Sequence, residues 1–410
     1  MRPTQIVHPL IVILGDVVEG GAATSTGRLI DALTANGLRV ERWHFSRQPR
    51  SAPAHYVSLD DRRKRPPVER VAKNLSRPIA DAMRRARHEA AFFAAVQQRR
   101  PALINVRNIH DCGLNHDSLL RLPKDLPLVW TMHDAWPFHV HAFEWWNSAV
   151  GRTETTASDG PTLTSAAARR QRFFKMRPDV VLASPSRWLA DEARRAVPTS
   201  VRVEVLPNGL PTEVFHPQDK AAAKATLGLD PRRAWLGFAS TWANSRKGTD
   251  VFVRALHQLP VAGLGLVSWG GELGGQFPEG LPVQHFGNIA HERLSALLYR
   301  AADLFVCPSR ADNLPNTVLE SLACGTPVVG SRIGGIPDMV QPGRTGWLYE
   351  QDVPEECAAA LATALRARAD WPQLQAGARA LVEAEFSVTR AAERYTALYR
   401  DLLAGRPAAR

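Results

Sequence analysis

Cysteine is scarce. Four occur in 410 residues, at Cys112, Cys307, Cys324 and Cys357, far apart and with no Cys-x-x-Cys pair. The spacing argues against a disulfide framework and against structural zinc, and predicts a reduced, cytoplasmic chain. Long apolar runs are missing too. No segment approaches the ~20 apolar residues that cross a bilayer. The opening MRPTQIVHPLIVILGD is broken by His8 and Pro9 and ends in Gly15-Asp16 rather than a small-residue cleavage site. It predicts a first buried strand instead of a signal peptide. No Asp-x-Asp metal motif, internal repeat of short period or recognised nucleic-acid motif stands out.

What is abundant is positive charge. Lys and Arg number 51 against 40 Asp and Glu, a formal net charge of +11. The excess concentrates between Arg42 and Arg100, in DDRRKRPP, AMRRARHEA and QQRR. Three readings arise: a solvated basic helix and loop, a surface for anionic lipid head groups or a phosphate-bearing acceptor, and nucleic acid, which no recognised motif supports. The hydrophobic content of 45% allows substantial cores. A chain of this length suits two or three domains.

Short apolar runs alternate with helical patterns. Strands are predicted at IVHPLIVILGD, GLRVERWHF, LINVRN, PLVWTMHD, VVLASP and VRVEVLPNG, then at AWLGFAS, GLGLVSWG, VQHFG, LFVCPS and PVVGS. Between them, TSTGRLIDALTANG and HERLSALLYRAAD carry apolar residues at helical spacing. The alternation predicts α/β architecture with parallel sheets covered by helices. It restarts after PTEVFHPQDKAAAKATLGLD, so a boundary is placed around 210–218. Two doubly wound, Rossmann-like domains facing across a cleft are expected, 1–212 and 213–385. The last segment, 386–410, is a helix expected to pack back on the first domain. The polar stretch 148–170 is expected to be a long loop.

Candidate functional residues fall at the carboxyl ends of these strands, where such sheets bind ligands. In DNLPNTVLESLACGTPVV, Asp312 and Glu320 flank an expected helix mouth at Asn316-Thr317, where Asn or Thr can cap. Free backbone N–H groups there suit a phosphate. Glu320, one turn inside, can accept two hydrogen bonds from vicinal hydroxyls, while Asp312 reaches another part of the ligand. A capped helix with ordinary surface acids would look the same. In NSRKGTD, Arg246 and Lys247 can balance a diphosphate. Gly20 and Gly21 follow the first strand, without a Gly-x-Gly-x-x-Gly fingerprint, and let backbone approach a ligand. His133, in TMHDAWPF, can hydrogen-bond a sugar hydroxyl or a phosphate. Gly334 and Gly335, in SRIGGIPDMV, can present backbone amides.

Taken together, DNLPNTVLESLACGTPVVGSRIGGIPDMVQPGRTGWL, RKG at 246–248, PNGL at 207–210, Gly20-Gly21 and His133-Asp134 resemble the retaining glycosyltransferases of family 4. The likeness covers nearly the whole chain and is strongest from about 230 to 350. DNLPNT and TMHDAWPF look like bacterial enzymes of exopolysaccharide and capsule assembly.

The resemblance implies a GT-B fold with an acceptor-binding first domain and a donor-binding second one. It implies hexose transfer from a nucleoside-diphosphate sugar to a hydroxyl of a glycan or polyprenyl-linked glycan, with retention and without a metal cofactor. By the same likeness, Glu320 binds the donor ribose and Asp312 the transferred sugar. Arg246, Lys247 and the amides of Thr317 and Val318 hold the diphosphate, and His133 lies near the reacting carbon. The family has Glu where this chain has Asp312, which leaves sugar preference open, and HVHAFEWWN departs from the family's pattern. A cytoplasmic enzyme, peripheral at the inner membrane face through region 42–100, is the expectation. A nucleotide-sugar 2-epimerase of the same fold and a non-catalytic binder of anionic surfaces are the alternatives.

Overall fold

The structure is a computed structural model and describes residues 9–15, 20–46, 55–60, 77–109, 112–139, 161–239 and 245–405. Aliphatic and β-branched runs form the strands, and several are buried along their whole length. Continuous burial is what a parallel sheet covered on both faces requires. Strands β1 (Ile11–Leu14), β2 (Val40–His44), β3 (Tyr56–Ser58), β4 (Leu103–Val106), β5 (Leu128–Thr131), β6 (Val181–Ser184) and β7 (Arg202–Val205) form one sheet. Its order is β3-β2-β1-β4-β5-β6-β7. Strands β8 (Ala234–Ala239), β9 (Leu264–Trp269), β10 (Val283–His285), β11 (Leu304–Cys307), β12 (Val328–Ser331) and β13 (Gly346–Tyr349) form the other, in the order β10-β9-β8-β11-β12-β13. The pairings are parallel throughout, as in β1 with β4 and β8 with β9. Every strand expected from the sequence is present; β3 and β13 are additions.

Alternation along β1 divides the first core. Val12 and Leu14 face Trp43, Phe92, Trp130 and Phe173. Ile11 and Ile13 face Leu29, Ile30 and Leu33 of the Gly21–Ala35 helix, together with Tyr395, Leu398 and Tyr399. The Val388–Ala404 helix therefore closes one face of the first sheet although the chain reaches it after the second. Asn105 donates to the Tyr399 hydroxyl at 2.7 Å. Each buried aromatic there contributes about 1.5–3 kcal/mol, enough to hold the helix to the first sheet.

The chain crosses between the halves twice, side by side. Leu210 N–H donates to Phe386 O at 2.8 Å, and Val388 N–H to Leu210 O at 2.9 Å. Gly209 lies so close that a Cβ would sit 2.6 Å from Val388 Cα.

One expectation needs correction. Residues 148–160 lie outside the described residues, but 161–170 are not loop; they open the Pro161–Met176 helix. Proline suits the first helical position because its missing N–H is not needed there. Phe173 and Phe174 then anchor the helix in the core. Among the described residues, no helix is long and apolar enough to cross a membrane.

In the first sheet, strand order reverses between β1 and β4; in the second, between β8 and β11. Ligands of doubly wound sheets bind outside the carboxyl ends of strands at such reversals.

Candidate functional site

At the first reversal, Gly20 opens the Gly21–Ala35 helix in a left-handed conformation, φ 85°, with no side-chain cap. Beside it, at the end of β4, stands Arg107, which is buried. Its Nη1 lies 3.0 Å from Thr26 Oγ1 and 3.2 Å from His133 Nε2. A guanidinium only donates, so His133 Nε2 is the acceptor and the neutral ring carries its proton on Nδ1. Asp134, the other half of the His-Asp pair, is buried, and its Oδ1 accepts the Trp136 N–H at 2.9 Å.

At the second reversal, the Ser245–Lys247 turn lies against the loop after β11. Gly248 makes the approach possible: its φ is 67°, and a Cβ would meet Pro308 O at 1.9 Å. Lys247 Nζ reaches Asp312 Oδ2 at 2.5 Å, and Ser309 Oγ donates to the same oxygen at 3.2 Å. Lys247 lines a small cavity with Phe238, Cys307, Ser309 and Thr317. Burial, with Asp312 nearby, pushes the Cys307 thiol up to about 11, so it stays protonated and inert.

Arg310 bolts the two loops together. It forks onto both oxygens of Asp250 at 2.6 Å and reaches Asp352 at 2.7 Å. Its guanidinium pKa is raised, chiefly by the hydrogen bonds to Asp250. Its own N–H donates to Arg246 O at 2.7 Å. Arg246 thus helps fix the turn through its backbone, with a half-buried side chain.

The two glycines after β12 serve packing. Gly334 has φ 55°, and a Cβ would lie 1.8 Å from Asp312 O. Gly335 N–H donates to Asn313 O at 2.7 Å, so this amide, expected to face a ligand, is engaged within the protein.

The Asn316–Ala323 helix is capped by Pro315, with no side-chain cap bond. Neither Asn316 nor Thr317 caps it. Asn316 instead reaches across the cleft and donates to Gly21 O at 3.0 Å. Val318 N–H bonds Pro315 O at 3.1 Å, which leaves the Thr317 amide nearer the mouth. Two helix N-termini, at Gly21 and Asn316, therefore meet, and neither helix has an acidic residue in its first turn. Their partial positive charges add where an anion would sit.

Glu320 points into the same gap. Its Oε1 takes Arg28 Nη2 from the first half at 2.9 Å, and its Oε2 takes the Tyr299 hydroxyl at 3.1 Å. Tyr299 is fully buried and packs on Trp269 and Phe305. Burial holds its phenol well above the ordinary range, so it remains a donor. Burial also pushes the Glu320 carboxyl up; the charge of Arg28 opposes this without cancelling it.

Asn313 is the other clasp. Ser186 Oγ donates to its Oδ1 at 2.6 Å, and its Nδ2 lies 3.3 Å from both Met132 O and His133 O. It ties the loop carrying Asp312 to the strand end carrying His133.

The structure thus gathers Gly20, Gly21, His133, Lys247, Asp312, Asn316, Thr317 and Glu320 around one cleft, with Gly334 and Gly335 beneath the Asp312 loop. Arg28, Arg107, Tyr299, Arg310 and Asn313 were missed as site residues. Asn313 at least lay inside DNLPNT. The basic region is described only in part: residues 47–54 and 61–76, like most of HVHAFEWWN, lie outside the described residues. Within the described part, Arg42 is buried, and Arg84, Arg87 and Arg99 pair with Asp81, Asp60 and Glu41.

Two doubly wound halves with facing reversal points define the GT-B architecture. The chain superposes on sucrose-phosphate synthase from Thermosynechococcus elongatus with a TM-score of 0.74 at 20% identity, covering 97% of this chain and 100% of that one. Anabaena HepE in complex with UDP-glucose gives 0.66 at 17% identity, covering 96% and 100%. The model for Glycosyltransferase Family 4 matches residues 19–214, and that for Glycosyl transferases group 1 matches residues 233–367. The chain belongs to this glycosyltransferase family.

Among curated relatives, D-inositol 3-phosphate glycosyltransferase of Segniliparus rotundus is 33% identical over 219 residues, 50% of this chain and 48% of that one. The Mycolicibacterium paratuberculosis protein of the same name is 32% identical over 232 residues, 51% of each. The chain spans about half the length of the curated relatives it matches.

Proposed function

We propose that the protein transfers a hexose from a nucleoside-diphosphate sugar to an acceptor hydroxyl, with retained anomeric configuration. The observation that carries this is the meeting of the two helix N-termini at Gly21 and Asn316, with Lys247 lining the cavity at Thr317. Such a place suits a diphosphate. Glu320, one turn further in, suits the ribose. Asp312, held by Lys247, suits hydroxyls of the sugar. His133 stands opposite, near the reacting carbon.

In the reaction, the bond between the sugar C1 and the β-phosphate oxygen breaks. The acceptor oxygen bonds to C1 on the same face, and its proton passes to the departing phosphate. Charge builds on that phosphate, where Lys247, Arg246 and the helix mouths stabilise it. Because these groups neutralise the diphosphate, the scheme calls on no metal.

The acceptor we favour is a phosphate-bearing one: a growing glycan on a polyprenyl diphosphate, met at the inner face of the membrane. The basic character of region 42–100 supports this, as does the likeness of DNLPNT and TMHDAWPF to capsule enzymes. Relatives named for D-inositol 3-phosphate make a small phosphorylated polyol the second candidate.

The experiment has two stages. A thermal-shift screen of UDP-, GDP-, ADP- and dTDP-sugars identifies the donor, because a ligand of the native state raises the melting temperature. Turnover is then followed as nucleoside-diphosphate release, with and without each acceptor, and the product anomer is read by NMR. Acceptor-dependent release with retention is expected. Conversion of the donor alone would indicate an epimerase, and an inverted product would remove the retaining scheme.

A further inference from the structure

Arg28 belongs to the first half, yet it holds the carboxylate of the second half's Glu320. Its side chain is only 8% exposed and lies over the Phe215 ring at 5.4 Å. Two of its nitrogens are occupied: Nη2 by Glu320 at 2.9 Å and Glu292 at 2.8 Å, and Nε by Glu292 at 2.9 Å. The third, Nη1, is buried without a hydrogen-bond partner among the described residues. A buried guanidinium N–H left unmade is costly, and a ligand acceptor would remove the cost.

The carboxylate is held at both ends. Arg28 takes one lone pair of Oε1, and Tyr299 takes one of Oε2. Each oxygen of an ionised carboxylate accepts about two hydrogen bonds, so one site on each stays open for a neighbouring hydroxyl. The spacing of those open sites suits a vicinal diol.

We propose that Arg28 is a donor-binding residue supplied from across the cleft, whose Nη1 donates to a ribose oxygen while Nη2 keeps Glu320 aimed at the same ribose. The proposal rests on the reading of Glu320 as the ribose acceptor. Its consequence is that ribose recognition is divided between the halves. A nucleotide with an intact ribose then favours the closed cleft, and one lacking the diol does not. Tyr299 acts behind it as a positioning residue, since it touches Glu320 and not the ligand.

The test measures binding of UDP and GDP, each against its 2′,3′-dideoxy counterpart, by calorimetry. The proteins are the full chain, Arg28→Met and Arg28→Lys. Arg28→Met is expected to lose about tenfold in affinity for the ribonucleotide, the scale of one charge-assisted hydrogen bond, and to bind the dideoxy form unchanged. Arg28→Lys keeps the charge beside Glu320 and Glu292 but has a single nitrogen in place of the planar fork, so it cannot hold both carboxylates and reach the ribose, and it is expected to follow Arg28→Met.

Equal losses for both nucleotides would make Arg28 a structural bridge and overturn the proposal. A gain in affinity would make it a competitor for Glu320 and overturn it too, as would an Arg28→Lys that behaves like the parent. If the parent protein binds neither nucleotide, or does not distinguish ribose from dideoxyribose, the ribose reading of Glu320 is what fails.

Discussion

Replacing Lys247 by alanine separates a catalytic cation from a structural one. The ion pair with Asp312 is partly shielded, with the two side chains 28% and 13% exposed. Exposed pairs contribute about 0.2–1 kcal/mol, and breaking a buried pair costs about 3–5 kcal/mol. This pair lies between, and Ser309 Oγ still donates to the orphaned carboxylate. A folding loss of about 1–2 kcal/mol follows. At roughly 2–4 °C per kcal/mol for domains of this size, the melting temperature should fall by about 2–8 °C.

Turnover should suffer far more. Removing one group that stabilises developing charge costs about 10²–10³ in kcat, or about 2.7–4 kcal/mol of activation free energy. The assay is nucleoside-diphosphate release at 25 °C under saturating donor, with a melting curve for each variant. Lys247→Arg serves as the charge-keeping control and should recover part of the rate. If Lys247→Ala melts as expected but turns over within about fivefold of the parent, Lys247 is only the counter-ion of Asp312. The leaving-group argument is then wrong.

Three further outcomes are expected. Calorimetric affinity for the donor nucleotide should weaken on acidification, beginning above the ordinary glutamate range, and Glu320→Gln should flatten that profile. The sign follows from burial raising the Glu320 pKa: the carboxyl takes up its proton early, and a protonated group accepts ribose hydroxyls less well. Through the same window the folded state binds more protons than the unfolded one. This site's contribution to stability therefore declines as pH rises from the ordinary range through the raised value. Gly334→Ala should destabilise the second half by more than about 1 kcal/mol, because the left-handed backbone alone costs that much and Asp312 O must also move. Its melting temperature should drop and its turnover should fall with it. Asn313→Leu should leave buried acceptors at Met132 and His133 unpaired, at about 1–3 kcal/mol each. Small-angle scattering should then report a wider cleft.

Strands such as β1, β4, β5 and β6 were legible because their residues are buried on both faces, which leaves plain apolar runs, whereas β7 and β10 are half exposed and were legible as short runs closed by turn residues. β3 escaped because it is a three-residue edge strand, half exposed at every position, in a charge-rich stretch. β13 escaped because its tryptophan and leucine are only half buried and the Pro-Gly-Arg-Thr-Gly run leading into it reads as a turn. Carboxyl-edge positions led to Lys247, Asp312 and Glu320, since a strand end locates the loop that follows it. Gly334 was noticed, but its work is to admit the Asp312 carbonyl, a packing fact that no local pattern carries. Arg28 and Tyr299 were illegible for a different reason. Arg28 lies 292 residues from Glu320 along the chain, and only the meeting of the two halves makes it a partner. Tyr299 looked like one more apolar position on an amphipathic helix, and only its hydroxyl distinguishes it.

The central claim is that a nucleoside diphosphate lies between the two halves, and a crystal structure of the protein with the nucleotide chosen by the thermal screen tests it most directly. The account predicts the diphosphate at the meeting of the Gly21 and Asn316 helix ends beside Lys247, with the ribose hydroxyls on Glu320. A nucleotide bound elsewhere, or bound in the cleft with Glu320 still making no contact to it, would contradict the account.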